Sequence, residues 1–298
     1  MNEIQERILA LKKEKKALIL AHYYQSMDIQ EIADYVSDSF DMARHARNAG
    51  EDLLIICGVR FMAESAKILN PNKTVLLPSP ESGCPMADMI KPADVLALRA
   101  KYPDAAVVCY INSSAAVKAV CDVCCTSSSA TEIVRACPEK QIIFLPDRNL
   151  GAFIASKIPE KEIILYDGFC PVHDCISEKD VLAVKSSFPD AKLLIHPECR
   201  EEALVHADFI GSTEGMIREA LESVGTEFII GTEFGVVERL RKIAPNKRFH
   251  PLKDDLLCQD MKMTLLSDVL HSLEAGEYEI TLDEDGIKAA RNSLNRMI

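Results

Sequence analysis

A chain of 298 residues with 48% hydrophobic side chains can build more than one compact core, which excludes disordered and fibrous readings. Its 46 acidic against 34 basic side chains leave a formal charge of -12, which repels phosphate backbones and anionic lipid, so no nucleic-acid partner is expected. Eleven cysteines without a secretion signal point away from a disulfide framework and towards metal binding or burial.

The opening stretch, MNEIQERILALKKEKK, sets charges among apolar residues at helical spacing and lacks the apolar core and cleavage site of a signal peptide. Behind it come short β-branched runs in chain order: ALILAHYY, DLLIICG, KTVLLP, AAVVCYI, QIIFLP, EIILY, AKLLIH, ADFIGS and EFIIG. Each is followed by a helix-like stretch, the signature of parallel strands joined by helical crossovers, and hence of an α/β fold. No apolar run reaches the roughly 18 to 20 residues that a spanning helix needs, so a cytoplasmic protein with no membrane partner is expected.

The runs repeat as a set. A strand with polar residues at its end, a hydroxyl-rich connection and a further strand recur as LILAHYYQ, VSDS, IICGVRFMAE; as VVCYINSS, CCTSSSA, IFLPDRNLG; and as LLIHPECR, FIGSTEG, IIGTEFGVV. Tyr24 to Ser39 and Asn112 to Ser127 are each 15 residues and Glu198 to Ser212 is 14, while His22 to Tyr110 is 88 and Tyr110 to His196 is 86. Such register across several features predicts an internal triplication. The first α/β repeat is expected over 1–83, joined by C-terminal helices at 262–298, the second over 84–169 and the third over 170–261.

The same period selects three cysteines: Cys84 to Cys170 is 86 residues and Cys170 to Cys258 is 88. Two open Cys-Pro turns, CPMA and CPVH, which place a thiol in a constrained loop. If three copies pack about a pseudo-threefold axis with these loops inward, three thiolates meet and leave one position of a cluster or metal open. An all-sulfur set favours iron, although zinc stays open on sequence grounds. Cys121, Cys124 and Cys125 form a C-x-x-C with a neighbour but no second pair, and Cys57 and Cys109 fall in apolar strands. Burial is the expected fate of all five.

In parallel α/β proteins substrates bind beyond the carboxyl ends of strands. The copies place His22, Tyr23 and Tyr24, then Tyr110 and Asn112, then His196 and Glu198 there. Tyrosine, glutamate and histidine can move protons, and an asparagine amide can orient a carboxylate or carbonyl. The hydroxyl connections, Ser37 to Ser39, Thr126 to Ser129 and Ser212 to Thr213, either cap helices or offer donors to anions. His173, three residues after Cys170, stands within reach of the same region.

With these residues assembled, the chain closely resembles the quinolinate synthases, iron-sulfur enzymes of NAD biosynthesis. The likeness runs through LILAHYYQ, IADYVSDS, GVRFMAE, KILNP, CPMA, YINSS, CTSSSA, PDRNLG, CPVH, IHPEC, GSTEGM and IIGTE. It implies three similar three-layer α/β/α domains with parallel sheets around a pseudo-threefold axis, and a [4Fe-4S] cluster on Cys84, Cys170 and Cys258 with one iron open. It also implies condensation of iminoaspartate with dihydroxyacetone phosphate, and coupling to an L-aspartate oxidase or aspartate dehydrogenase as the source of the imine. Tyr24 and Glu198 would transfer protons, with His22, Tyr110 and His196 assisting. Asn112, Ser39, Ser127, Ser212 and Thr213 would bind substrate, together with His22, Tyr110, His196 and Glu198. Two departures stand out: Tyr23 occupies a position where asparagine is expected in many relatives, and LLCQDMKMTLL around Cys258 is a looser match than the two Cys-Pro motifs. A cluster-dependent hydratase or dehydratase would use the same open iron, and an iron-sulfur sensor is a non-catalytic alternative that leaves the convergent polar groups unexplained.

Overall fold

The computed structural model describes residues 1–297. Its strands are β1 (Ala17–His22), β2 (Tyr35–Ser37), β3 (Leu53–Cys57), β4 (Thr74–Leu76), β5 (Ala106–Tyr110), β6 (Val123–Cys125), β7 (Gln141–Leu145), β8 (Glu162–Leu165), β9 (Lys192–Ile195), β10 (Phe209–Ile210), β11 (Glu227–Gly231) and β12 (Arg248–Pro251). They form three four-stranded sheets of identical order, β2-β1-β3-β4, β6-β5-β7-β8 and β10-β9-β11-β12. All pairings within the sheets are parallel. The chain is thus an α/β protein of three similar α/β/α units.

Burial explains which runs make the centre of each sheet. Every residue of β1 and β5 is buried, as a strand covered by helices on both faces requires, and β3, β7 and β11 are buried along four of their five residues. Edge strands are shorter or wetter: β8 is half-exposed along its length. The strands missing from the sequence reading, β2, β6 and β12, are also edges, and Val-Cys-Cys in β6 is no longer than β2. Tyr-Val-Ser is too short to show alternation, and Arg-Phe-His-Pro carries a charge and a proline that only an edge accepts.

The repeat is written into the bonding. Asp34, Asp122 and Asp208 each precede an edge strand, and their Oδ2 atoms accept from the backbone N–H of Ile19, Val107 and Leu193 at 2.8, 2.7 and 2.8 Å. Each carboxylate also pairs with a cation from the helix that precedes the central strand, Lys12, Arg99 and Lys185, at 2.8, 2.8 and 3.4 Å. Three further lysines, Lys73, Lys161 and Lys247, donate to the C-terminal carbonyls of Ala49, Cys137 and Ser223, just beyond helices Ser39–Asn48, Ala130–Ala136 and Thr213–Glu222. They satisfy acceptors that those helices leave open.

The C-terminal segment ties units together. Ile280 N–H donates to Val75 O at 2.8 Å, which lays the segment along β4. Helix Leu266–Ala275 packs on helix Glu3–Lys15, and helix Glu284–Asn295 packs on both Arg60–Leu69 and Ala115–Lys118. Among the described residues, no helix is long and apolar enough to cross a membrane.

Candidate active site

The carboxyl ends of all three sheets open onto one cavity of about 680 Å³. His22, Tyr24 and Ser39 line it from the first unit, Tyr110, Asn112 and Ser127 from the second, and His196, Glu198 and Thr213 from the third. Ser212 stands behind this wall, where its Oγ accepts from Gly215 N–H at 3.2 Å and caps helix Thr213–Glu222. Cys84, Cys170 and Cys258 line the same cavity. Tyr23 turns away from Tyr24, and its hydroxyl donates to Glu214.

Thiol placement follows local structure. Cys84 and Cys170 immediately precede the one-turn helices Pro85–Asp88 and Pro171–Asp174, each begun by its proline. Cys258 precedes the 3-10 turn Asp260–Lys262. In all three loops the backbone N–H three residues on, from Ala87, His173 or Met261, favours the thiolate and partly offsets burial. Buried acidic side chains fasten two of these loops: Asp147 Oδ2 accepts from Cys170 N–H at 3.1 Å, and Glu233 pairs with Lys262 at 3.0 Å. The Cys258 loop is also pinned to the end of β1, because Lys262 Nζ donates to Tyr24 O at 2.6 Å and Gln25 Nε2 donates to Met261 O at 2.6 Å. Gly235 permits this approach, since a Cβ there would lie 2.9 Å from Tyr23 O and 3.2 Å from Lys262 Nζ.

None of the cysteines is in a disulfide. Burial pushes the Cys84 thiol up to about 12, the Cys258 thiol up to about 11 and Cys170 well above the ordinary range. Thiols so placed ionise when a cation accompanies them. Three sulfur donors lining one cavity are chemically suited to an iron-sulfur cluster. A second donor set overlaps it: Cys170 Sγ, a His173 ring nitrogen and a Glu198 oxygen lie within 4.8 Å of one another. His173 already has partners, however, with Nδ1 2.7 Å from Glu198 Oε2 and Nε2 2.9 Å from Thr232 Oγ1. Cys57, Cys109, Cys124 and Cys125 are buried with no exposed surface. Cys121 is partly exposed, and its thiol donates to Val117 O at 3.1 Å.

The polar wall is a connected network. Tyr24 Oη lies 2.8 Å from Thr232 Oγ1 and 3.1 Å from Thr213 Oγ1, so Thr232 links the phenol to His173 and through it to Glu198. The His173 and His196 rings stack at 4.6 Å. Burial drives His22 and His196 down to about 3, so both rings are neutral near pH 7. Burial, reinforced by the Glu198 charge, raises Tyr24 and Tyr110 well above the ordinary phenol range. Burial also opposes ionisation of Glu198, but His196, His173 and the Tyr110 hydroxyl outweigh it and hold the carboxyl at about 2. Asn112 Oδ1 and Glu198 Oε1 are buried without a hydrogen-bond partner among the described residues. The cavity therefore offers two carboxyl groups, Glu198 and Asp38, two phenol donors, neutral imidazoles and uncommitted acceptors. Thr232, Asp38, Phe61 and Met62 escaped the sequence reading. Counterparts of Thr232 at the repeat spacing are Gly58 and Pro146, so periodicity carries no signal for it.

Fold and site together define a three-unit α/β protein of the enzyme class, with one cavity that every unit helps to wall. The family of the quinolinate synthetase A protein matches residues 6–298, and the chain belongs to it. A quinolinate synthase of Caldicellulosiruptor saccharolyticus is 50% identical across 100% of this chain and 98% of its own length. One of Thermodesulfovibrio yellowstonii is 46% identical over 100% and 98%, and one of Clostridium perfringens is 50% identical over 99% and 98%.

Proposed function

We propose that this enzyme, acting in NAD biosynthesis, condenses iminoaspartate with dihydroxyacetone phosphate to quinolinate, releasing phosphate and water. One observation carries the reading: three thiols and the polar ends of three equivalent strands open onto the same cavity. Cys84, Cys170 and Cys258 would hold a [4Fe-4S] cluster, whose open iron would act as a Lewis acid on a substrate nitrogen, carboxylate or departing hydroxyl. Tyr24, protonated and tied to Thr232 and Thr213, is the proton donor we assign, and ionised Glu198 is the acceptor. His22, His196 and Tyr110 hold intermediates by hydrogen bonds, and Asn112 orients a carboxylate or carbonyl through its free amide oxygen. Ser39, Ser127 and Thr213 receive the carboxylates and the phosphate, and Ser212 holds the turn that presents Thr213. The imine comes from an L-aspartate oxidase or an aspartate dehydrogenase.

Anaerobically purified protein given both substrates should form quinolinate, with about four irons and four sulfides per chain, and Cys258→Ala should lose both cluster and turnover. Absence of product overturns the reaction. A single divalent ion per chain that survives in Cys258→Ala would move the metal to the Cys170, His173 and Glu198 set.

A further inference from the structure

We infer that the ammonium of Lys118 is a fixed positive pole beneath the second unit's part of the cavity, where it attracts an oxyanion of the substrate. The inference rests on the reading that the cavity takes anionic substrates. Lys118 ends the short helix Ala115–Lys118 and has no exposed surface. Its Nζ donates to the carbonyl of Ser113, itself fully buried, and sits 5.4 Å from the centroid of the Phe61 ring. Among the described residues no carboxylate pairs with it within 4.0 Å. Other deeply buried charged groups are compensated: Glu233 pairs with Lys262 at 3.0 Å and Asp174 with Arg200 at 2.8 Å. Burying a cation without a counter-charge is costly, so a fold that keeps one needs a reason beyond packing.

The triplication supplies an internal control. At the spacing of the repeat, Lys118 corresponds to Gln30, 88 residues earlier, and to Leu204, 86 later, and Ser113 corresponds to Gln25. Gln30 Nε2 donates to Gln25 O at 2.9 Å, the same bond that Lys118 makes to Ser113 O. A neutral amide therefore serves the first unit, and buried Leu204 serves the third with no polar group. The architecture asks at most for a hydrogen bond here, and only the second unit carries a charge. That charge lies against Phe61, a cavity wall, and below the turn that presents Asn112, so its field enters the cavity through low-dielectric side chains.

The test replaces Lys118 with the residue that the first unit already uses. Anaerobically purified wild type and Lys118→Gln are titrated with inorganic phosphate and with quinolinate by calorimetry, and melting temperature and cluster absorbance are followed in parallel. Lys118→Gln should keep both and bind at least one anion about tenfold more weakly. Loss confined to phosphate puts the pole under the phosphate group, and loss confined to quinolinate puts it under a carboxylate. Lys118→Met, which removes the bond as well as the charge, should show the same loss. Full affinity for both anions in Lys118→Gln overturns the inference, as does weakening in the methionine variant alone, since the bond would then be what matters. Wild type that binds neither anion also overturns it. Wild type that binds both but forms no quinolinate refutes the reaction and leaves the charge to be judged on binding.

Discussion

Tyr24 shows how much of a residue's environment is set by distant parts of the chain. Its hydroxyl is held by Thr213 and Thr232 and its carbonyl by Lys262, all from beyond residue 200. Periodicity pointed to the phenol and to Thr213 but not to Thr232, which has no hydroxyl counterpart in the other units. Asp38, also missed, lines the cavity and caps helix Ser39–Asn48 by accepting from Phe40 and Asp41 N–H at 3.0 and 3.1 Å. Burial, with help from the Asp41 and Glu214 charges, raises its carboxyl to about 6. Between roughly pH 4 and 6 the folded protein thus keeps a proton that the unfolded chain has released, so stability falls as pH rises through that window, by at most about 3 kcal/mol. Asp38→Asn preserves the cap and should flatten this part of the curve. Urea midpoints measured below and above the window check it, and an unchanged slope would mean that the carboxyl is not what titrates there.

Whether a strand could be read in the sequence followed the apolar run that marks it. Central strands were legible as apolar runs, whereas β2, β6 and β12, each paired on one side only, left almost no trace. The three aspartates had been visible all along at spacings of 88 and 86 residues. Their meaning appears only when each is seen to clasp the N–H of a central strand and a cation from the preceding helix. Because the clasp is the same in every unit, Asp34→Ala, Asp122→Ala and Asp208→Ala should each lower stability by about 1–3 kcal/mol, the cost of stranding a buried donor. Equilibrium unfolding in urea measures it. A large loss at one site and none at the others would show that the equivalence stops at geometry.

At the scale of the whole molecule, the final helix acts as a strap. Ile287, Ala290 and Leu294 bury its inner face, Arg291 Nε donates to Ile68 O at 3.0 Å and Ser293 Oγ donates to Lys118 O at 2.9 Å, which joins the first and second units. Burial of its isoleucine and leucine alone is worth about 3–6 kcal/mol, a large share of a typical folding free energy. Removing residues 283–298 should lower the melting temperature by about 10 °C. Calorimetry decides, and a drop of only a degree or two would mean that the strap is dispensable. The sequence showed a helical C-terminus but not its seat across two units, since a periodic apolar face does not say what it meets. The cavity lining begins at His22 and closes only with Met261. A chain emerging from the ribosome therefore displays Phe61, Met62 and Met86 long before the opposite wall has been translated. For most of its synthesis this protein is an unroofed apolar surface, and its demand on chaperones should peak just before the third unit folds.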